Sequence, residues 1–396
     1  MRIAIAFDNF GPYHMARLAA AGRFMRVLGV EVAATSTEYA WNASNIPPGV
    51  EHARLLDDGS GRSNWSLLLA AYDSRVAPWR PDAIALPGWS SPATLAGAYW
   101  ASRRGVPIVV MSETNATDFH RHTVTELVKR RIVALFQAGL CGGRLAQAYL
   151  AELGLPHDRI FVGYDVVDNN HFDKDSVTTS KIDNTHKAID PAWRGRCFLA
   201  SARFIPKKNL PRLVEAFARY RRAAGASAWP LVLLGDGPMR AELEAMRTAL
   251  ELEASLAMPG FVQYGELPLH YGNAGVFVHA STTEQWGLVV NEAMASGLPV
   301  LVSERCGCAP DLVENGRNGY TFDPLNVEAL AALMLQVSSD TCDRAAMGRA
   351  SREIIDAWSP DRFGRGLRQA AETALAARPR QSGFMDRGLL WMLSRR

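Results

Sequence analysis

Residues 275–304 read GVFVHASTTEQWGLVVNEAMASGLPVLVSE. The stretch opens on a short apolar run rich in β-branched residues, GVFVHAS, and closes on another, LPVLVSE. Between them a loop leads into a helix that begins near Gly287. Short apolar runs of this kind are strands buried on both faces, and a strand–helix–strand unit places its two strands in parallel. The stretch therefore predicts a parallel sheet covered by helices.

The same alternation extends outward in both directions. Downstream of residue 195 the strand candidates are CFLASARF, WPLVLLGDG, LAMPGFVQ, GVFVHAST and LPVLVSE. Upstream of residue 173 they are RIAIAF, VEVAAT, DAIALPG, VPIVVMS, AGLCGG and RIFVGYDV, with helix-period segments such as YHMARLAAAGRFMRVLG and PATLAGAYWASRRG between them. Residues 173–195 are polar and patternless and read as a linker. The fold expected is α/β, with two doubly wound, Rossmann-like domains: residues 1–172 and residues 196–357. Such sheets bind ligands beyond the carboxyl ends of their strands, so two of them facing each other make a central cleft.

The bulk numbers fit two globular domains. The chain has 396 residues, 48% apolar and 21% charged, and a net charge of +3 that demands no nucleic acid. Five cysteines (Cys141, Cys197, Cys306, Cys308, Cys342) form no CxxC pair, which argues against a disulfide framework or a zinc site and suits a reducing cytoplasm. The N-terminus runs directly into a strand, and no apolar stretch reaches transmembrane length, so the expectation is an unsecreted chain. The sequons at Asn42, Asn64 and Asn115 are then chance matches.

Chemistry gathers at strand-to-helix turns. In SARFIPKKNLPRLVEAF (201–217) Arg203 and Lys208 leave a strand's carboxyl end, where a planar fork and a point charge suit a diphosphate. In LVLLGDGPMRAELE (231–244) Gly235 and Gly237 permit a tight turn and close backbone approach. Glu284 lies in the loop after its strand, and the backbone amides of Gly287, Leu288 and Val289 at the next helix start offer an anion site. Glu292 falls about a turn and a half into that helix. Carboxylates accept from vicinal hydroxyls, and a sugar nucleotide carries two such sets.

With these residues in view, RFIPKKN, GDGP, EQWGLVVNEAMASGLPV and GCAPDLVENGRNG together resemble the donor half of a glycosyltransferase family 4 (group 1) enzyme with the GT-B fold. Glu284 and Glu292 match the group's E-x7-E motif, and order and spacing agree over roughly residues 196–335. The first half matches more loosely, through its N-terminal strand, a Gly-containing turn and GYDVVDNNHF. WSPDRFGRGL looks like the segment by which the C-terminal part, 358–396, returns to the first domain.

The resemblance implies a retaining, metal-independent transferase that takes a UDP- or GDP-type sugar and needs no cofactor. Its first domain would hold a saccharide or lipid-linked acceptor and its second the donor, in polysaccharide or glycoconjugate synthesis. Arg203 and Lys208 would hold the diphosphate, Glu284 would face the transferred sugar, and Glu292 the ribose. Gly287 and Leu288 would offer amides to the distal phosphate, while Phe261 and Val262 in PGFVQYGE would border the base. The first turn, DNFGPYH, departs from the group's two-glycine turn: Gly11 remains, but Pro12 removes a backbone donor.

On the acceptor side the candidates are His14, His120 and Glu113, with His122 and Thr114 behind them. His279, inside a strand, reads as a packed core histidine. Two basic amphipathic segments, ELVKRRIVALF (126–136) and GFMDRGLLWMLSRR (383–396), suit either a solvated helix face or peripheral contact with an anionic membrane at the inner face of the cell. Two other readings use the same motifs, a sugar-nucleotide epimerase and a catalytically silent nucleotide-sugar binding subunit.

Overall fold

A computed structural model describes residues 1–33, 45–57, 62, 64–118, 121–173, 190–377 and 382–394. The run RIAIAF forms strand β1 (Arg2–Phe7). Its period of two sends Ile3, Ile5 and Phe7 to one face and Ala4 and Ala6 to the other, and all five are buried because helices cover both faces.

Around it the first sheet takes up β2 (Arg26–Glu31), β3 (Val50–Arg54), β4 (Ala83–Pro87), β5 (Ile108–Ser112), β6 (Ala138–Cys141) and β7 (Ile160–Val162). All the strands are parallel, in the order β3-β2-β1-β4-β5-β6-β7. The helices between them are α1 (Pro12–Gly22), α2 (Trp65–Ala71), α3 (Pro92–Arg104), α4 (Thr123–Val133) and α5 (Arg144–Glu152).

After β7 the short helix α6 (Asn169–Phe172) leads to a second parallel sheet of β8 (Phe198–Ser201), β9 (Leu231–Leu234), β10 (Leu256–Gly260), β11 (Val276–His279), β12 (Val300–Ser303) and β13 (Gly319–Phe322). Its order is β10-β9-β8-β11-β12-β13. Helices α7 (Leu210–Ala224), α8 (Arg240–Ala249), α9 (Leu267–Asn273), α10 (Leu288–Ala295), α11 (Ala309–Leu312), α12 (Val327–Ser338) and α13 (Arg344–Asp356) complete it. The chain ends in α14 (Pro360–Ala376) and α15 (Phe384–Leu393).

Two compact units result: Met1–Val166 with Pro360–Arg396, and Val167–Ser359. The return expected from WSPDRFGRGL is therefore real. Phe363, Leu367, Ala370 and Ala374 of α14 join the first unit's core beside α1. The other crossing falls earlier than expected, at Val166 instead of residue 172. Phe172 is the reason: it is fully buried against Tyr264 and Tyr271 of the second unit. Of the linker expected at 173–195, residues 174–189 lie outside the described residues.

Two local expectations fail, and two edge strands went unread. The helix expected over 13–29 stops at Gly22, because RVLGVE is claimed by β2, whose register pairs Arg2 with Arg26 and Phe7 with Glu31. The strand expected at VEVAAT thus starts four residues early, at Arg26, and Thr35 at its far end is outside the described residues. The edge strands β3 and β13 carry too little apolar pattern to read; β13 depends on Gly319, where a Cβ would meet the Val300 carbonyl oxygen at 1.8 Å. Among the described residues no helix is long and apolar enough to cross a membrane.

Candidate functional site

In the second sheet the strand order turns round between β8 and β11, since the chain goes to β9 and β10 on one side and β12 and β13 on the other. Loops at such a switch point diverge and leave a crevice beyond the strand ends. Arg203 and Lys208 follow β8, and Glu284 follows β11, so both cations and the carboxylate belong to that crevice.

Lys208 Nζ donates to Glu284 Oε2, with Lys207 Nζ 4.0 Å from the other carboxylate oxygen. Ser281 Oγ donates to Glu284 Oε2 at 3.3 Å, and His279 Nε2 lies 3.5 Å from the same oxygen. Burial works to raise the Glu284 carboxyl, but the His279 hydrogen bond and the Lys208 charge outweigh it and hold the group well below the usual carboxylate range. Burial pushes the His279 imidazole down, so it faces Glu284 as a neutral ring. His279 is thus no mere core residue: it ends β11 beneath the glutamate it helps to orient.

The loop carrying Glu284 is pinned at several points. Glu284 bridges in parallel to Cys306, Gly307 N donates to the Glu284 carbonyl at 2.9 Å, and Cys308 N donates to the Trp286 carbonyl at 3.2 Å. Trp286 is buried against Trp358, and its Nε1 donates to Asn291 at 2.9 Å. Cys306 and Cys308 are buried free thiols, pushed up by burial, that pack under this loop.

Gly287 takes φ +106° at the start of α10, which has no side-chain cap. No described protein group accepts from the amides of Gly287, Leu288 or Val289, and all three residues are half-buried. That leaves the helix start with donors for an anion.

Asn209 escaped the sequence reading. It sits in the left-handed region at φ +57°, buried, and its Nδ2 donates to the Ala280 carbonyl at 3.1 Å and the Pro324 carbonyl at 2.8 Å. One side chain thus ties the turn after β8 to the turns after β11 and β13 and fixes Lys208 beside Glu284. An Asn before a Leu-Pro helix start is the only signal the sequence carried.

Other candidates are placed differently from expectation. Glu292 is fully buried, and Tyr271 donates to its Oε2 at 2.6 Å, so the carboxylate serves the contact between α9 and α10 instead of facing outward with Glu284. Gly235 and Gly237, at φ +123° and +155°, approach the protein's own backbone: a Cβ would meet the Ala202 oxygen at 1.9 Å or the Phe204 oxygen at 2.7 Å. They fit two turns of the second sheet together. Phe261, 44% exposed, and Val262 follow edge strand β10.

In the first unit Gly11 and His14 follow β1, beside the switch between β1 and β4, and Glu113 and Thr114 follow β5. The Gly11 amide donates to His14 Nδ1 at 3.0 Å, because His14 reaches back from the first turn of α1. The His14 ring packs on Phe7, and burial together with Arg17 holds it down at about 3, so it stays neutral. His122 starts α4 and is exposed, while His120 lies outside the described residues. Among the described residues no three His, Cys, Asp or Glu side chains gather to hold a metal. A cavity of about 480 Å³ lined by Trp193, Arg247, Met258 and His270 includes none of the candidate site residues.

Residues 182–354 match the model of the group 1 glycosyl transferases. The match takes in Arg203, Lys208 and Glu284 and covers less than half of the chain. Two relatives are similar over part of their lengths. A GDP-mannose-dependent alpha-(1-6)-phosphatidylinositol monomannoside mannosyltransferase of Mycolicibacterium smegmatis is 32% identical over 165 residues, 40% of this chain and 42% of that protein. A putative colanic acid biosynthesis glycosyltransferase, WcaL of Salmonella typhimurium, is 28% identical over 257 residues, 63% of this chain and 58% of that protein. The chain thus spans about half the length of these two relatives.

Among solved structures, HepE of Anabaena in complex with UDP and glucose superposes with a TM-score of 0.73 at 20% identity, over 93% of this chain and 98% of that one. The fold is therefore GT-B, as the group 1 motifs suggested, with two parallel Rossmann-like units.

Proposed function

We propose that this chain is a retaining glycosyltransferase of family 4 that works without a metal. It moves a sugar from a nucleoside-diphosphate sugar to a saccharide or lipid-linked acceptor in polysaccharide or glycoconjugate synthesis. The observation that carries this reading is the meeting of Lys208 and Glu284 at the switch point of the second sheet, inside the segment that matches the group 1 model.

Lysine has three N–H donors. One is directed at Glu284, and two remain for a diphosphate that Arg203 also approaches from the same turn. The bond from the anomeric carbon to the diphosphate oxygen breaks, and the acceptor oxygen bonds to that carbon on the same face. The acceptor proton passes to the departing phosphate oxygen. Negative charge grows on the diphosphate as this happens, and the cation pair with the Gly287 and Leu288 amides stabilises it in place of a metal. Glu284, kept ionised by its neighbours, accepts from hydroxyls of the transferred sugar and fixes its pose. Phe261 and Val262 border the base, and Glu113 and His14 are acceptor-side residues. The free thiols suit the cytoplasm, where we place the chain, at the inner membrane face when the acceptor is lipid-linked.

The mycobacterial relative's name carries GDP-mannose and the Anabaena structure holds UDP, so the donor is a matter for titration. Calorimetry with UDP, GDP and ADP, without metal, on the wild type and Arg203→Ala should give micromolar binding of one nucleotide, lost in the variant. Turnover of the donor alone to an epimer would overturn the transferase reading in favour of an epimerase.

A further inference from the structure

The C-terminal helix α15 is held firmly on its inner side. Asp386 is buried, forms an ion pair with Arg131 Nε of α4 at 2.8 Å and accepts from the Gly383 amide at 2.9 Å, while Ser382 N donates to Ser102 of α3 at 3.1 Å. Leu390, one turn on, is buried with Asp386. At 100° per residue the opposite stripe holds Phe384, Met385, Gly388, Trp391 and Met392. These are the outward residues: Phe384 is 91% exposed, Met385 69%, Met392 50% and Trp391 44%. Apolar side chains thus cover both faces of α15, whereas a helix lying on its own domain turns its polar face outward.

Helix α4 extends this surface. Arg131 reaches α15, and Leu127, four residues before it, lies on the same side of α4, with Val124 three residues further back. Leu127 is 61% exposed and Val124 74%. The charges around the patch are of one sign. The acids of the two helices are engaged, Glu126 with Lys129 at 2.9 Å and Asp386 with Arg131. Arg130 and Arg387 are exposed, and Arg395 and Arg396 follow in the sequence outside the described residues.

We propose that the paired helices α4 and α15 form a docking surface for an anionic lipid bilayer. Phe384, Met385, Trp391 and Met392 enter the boundary between headgroups and acyl chains, and Arg130 and Arg387 pair with lipid phosphates. Charge decides between this and a second copy of the chain. A two-fold contact would set each cationic patch against itself, while anionic headgroups supply the missing sign. The proposal deepens the placement at the inner membrane face given above, and its test is distinct from that of sugar transfer, since no residue of the donor site takes part.

The test is co-sedimentation of the full chain with vesicles of phosphatidylcholine alone and of phosphatidylcholine with about one-third phosphatidylglycerol. The wild type should pellet with the anionic vesicles. Phe384→Ser with Trp391→Ser should weaken that binding at least about tenfold, and Arg130→Gln with Arg387→Gln should abolish the preference for anionic over neutral vesicles. All these positions are exposed, so the variants should melt like the wild type, which circular dichroism checks. Equal pelleting of wild type and both variants, or no pelleting of the wild type, would overturn the proposal. So would self-association by light scattering that Phe384→Ser with Trp391→Ser abolishes without vesicle binding, which would give the face to a second copy.

Discussion

At the scale of single residues, Lys208 and Glu284 hold each other in the crevice, and in the proposed reaction each also meets the donor. Lys208→Ala and Glu284→Ala should each cost at least about 2 kcal/mol in kcat/KM, the loss of one charged active-site contact. Because the two touch, the double variant should cost less than the sum of the singles, and a kinetic double-mutant cycle measures the difference. Additive losses would mean that the pair does not act as a unit. His14 makes a separate prediction about pH. Its ring is held neutral in the folded chain, down to about 3, whereas in the unfolded chain it takes a proton near its ordinary value of 6.5. Stability from this group is therefore complete above about 6.5 and falls as pH drops toward 3. Since the residue is partly open, roughly 1 kcal/mol is expected to be lost between neutral pH and about pH 5. Urea titrations should show that loss in the wild type and a flatter profile in His14→Asn.

At the scale of elements, the second sheet's turns are fitted to one another before they are fitted to any ligand. Gly235→Ala would place a Cβ 1.9 Å from the Ala202 oxygen at φ +123°, and a cost above about 3 kcal/mol is expected, enough to unfold the second unit or leave it barely stable. Gly287→Ala meets nothing closer than 3.5 Å and carries only the strain of φ +106°, about 1–2 kcal/mol. Similar denaturant midpoints for the two variants would contradict this ranking. Tyr271→Phe removes the donor to a fully buried carboxylate at Glu292, with an expected loss of about 1.5–3 kcal/mol. The wild-type midpoint in that variant would show that Glu292 has another way to be satisfied.

At the scale of the whole molecule, the chain crosses between its units twice, at Val166 and at Pro360, and each unit has its own sheet and core. A nucleotide bound at the crevice of the second sheet should stabilise that unit by about 2.7 kcal/mol at a hundred times its dissociation constant. For a unit of this size the shift in melting temperature is roughly 5–10 °C. Scanning calorimetry should therefore resolve two transitions, of which the nucleotide moves one. A single transition that shifts as a whole would show that the units unfold together.

Periodicity and chain order were enough to establish two parallel α/β units, because the apolar runs of β1, β8, β11 and β12 and the helix-period segments between strands are local patterns that need no partner to be read. The cations after β8 and the glutamate after β11 were legible for the same reason, since a motif's spacing is itself sequence. Side-chain direction was not. Glu292 turns inward because Tyr271 is there to receive it, His279 becomes part of the site because its strand ends under Glu284, and Gly235 is required by a carbonyl from another turn. Asn209 reaches carbonyls 71 and 115 residues away in sequence. Contacts of that range exist only once the sheet has brought the strand ends together, so tertiary structure alone decided which motif residues gather at the crevice and which hold the others in place.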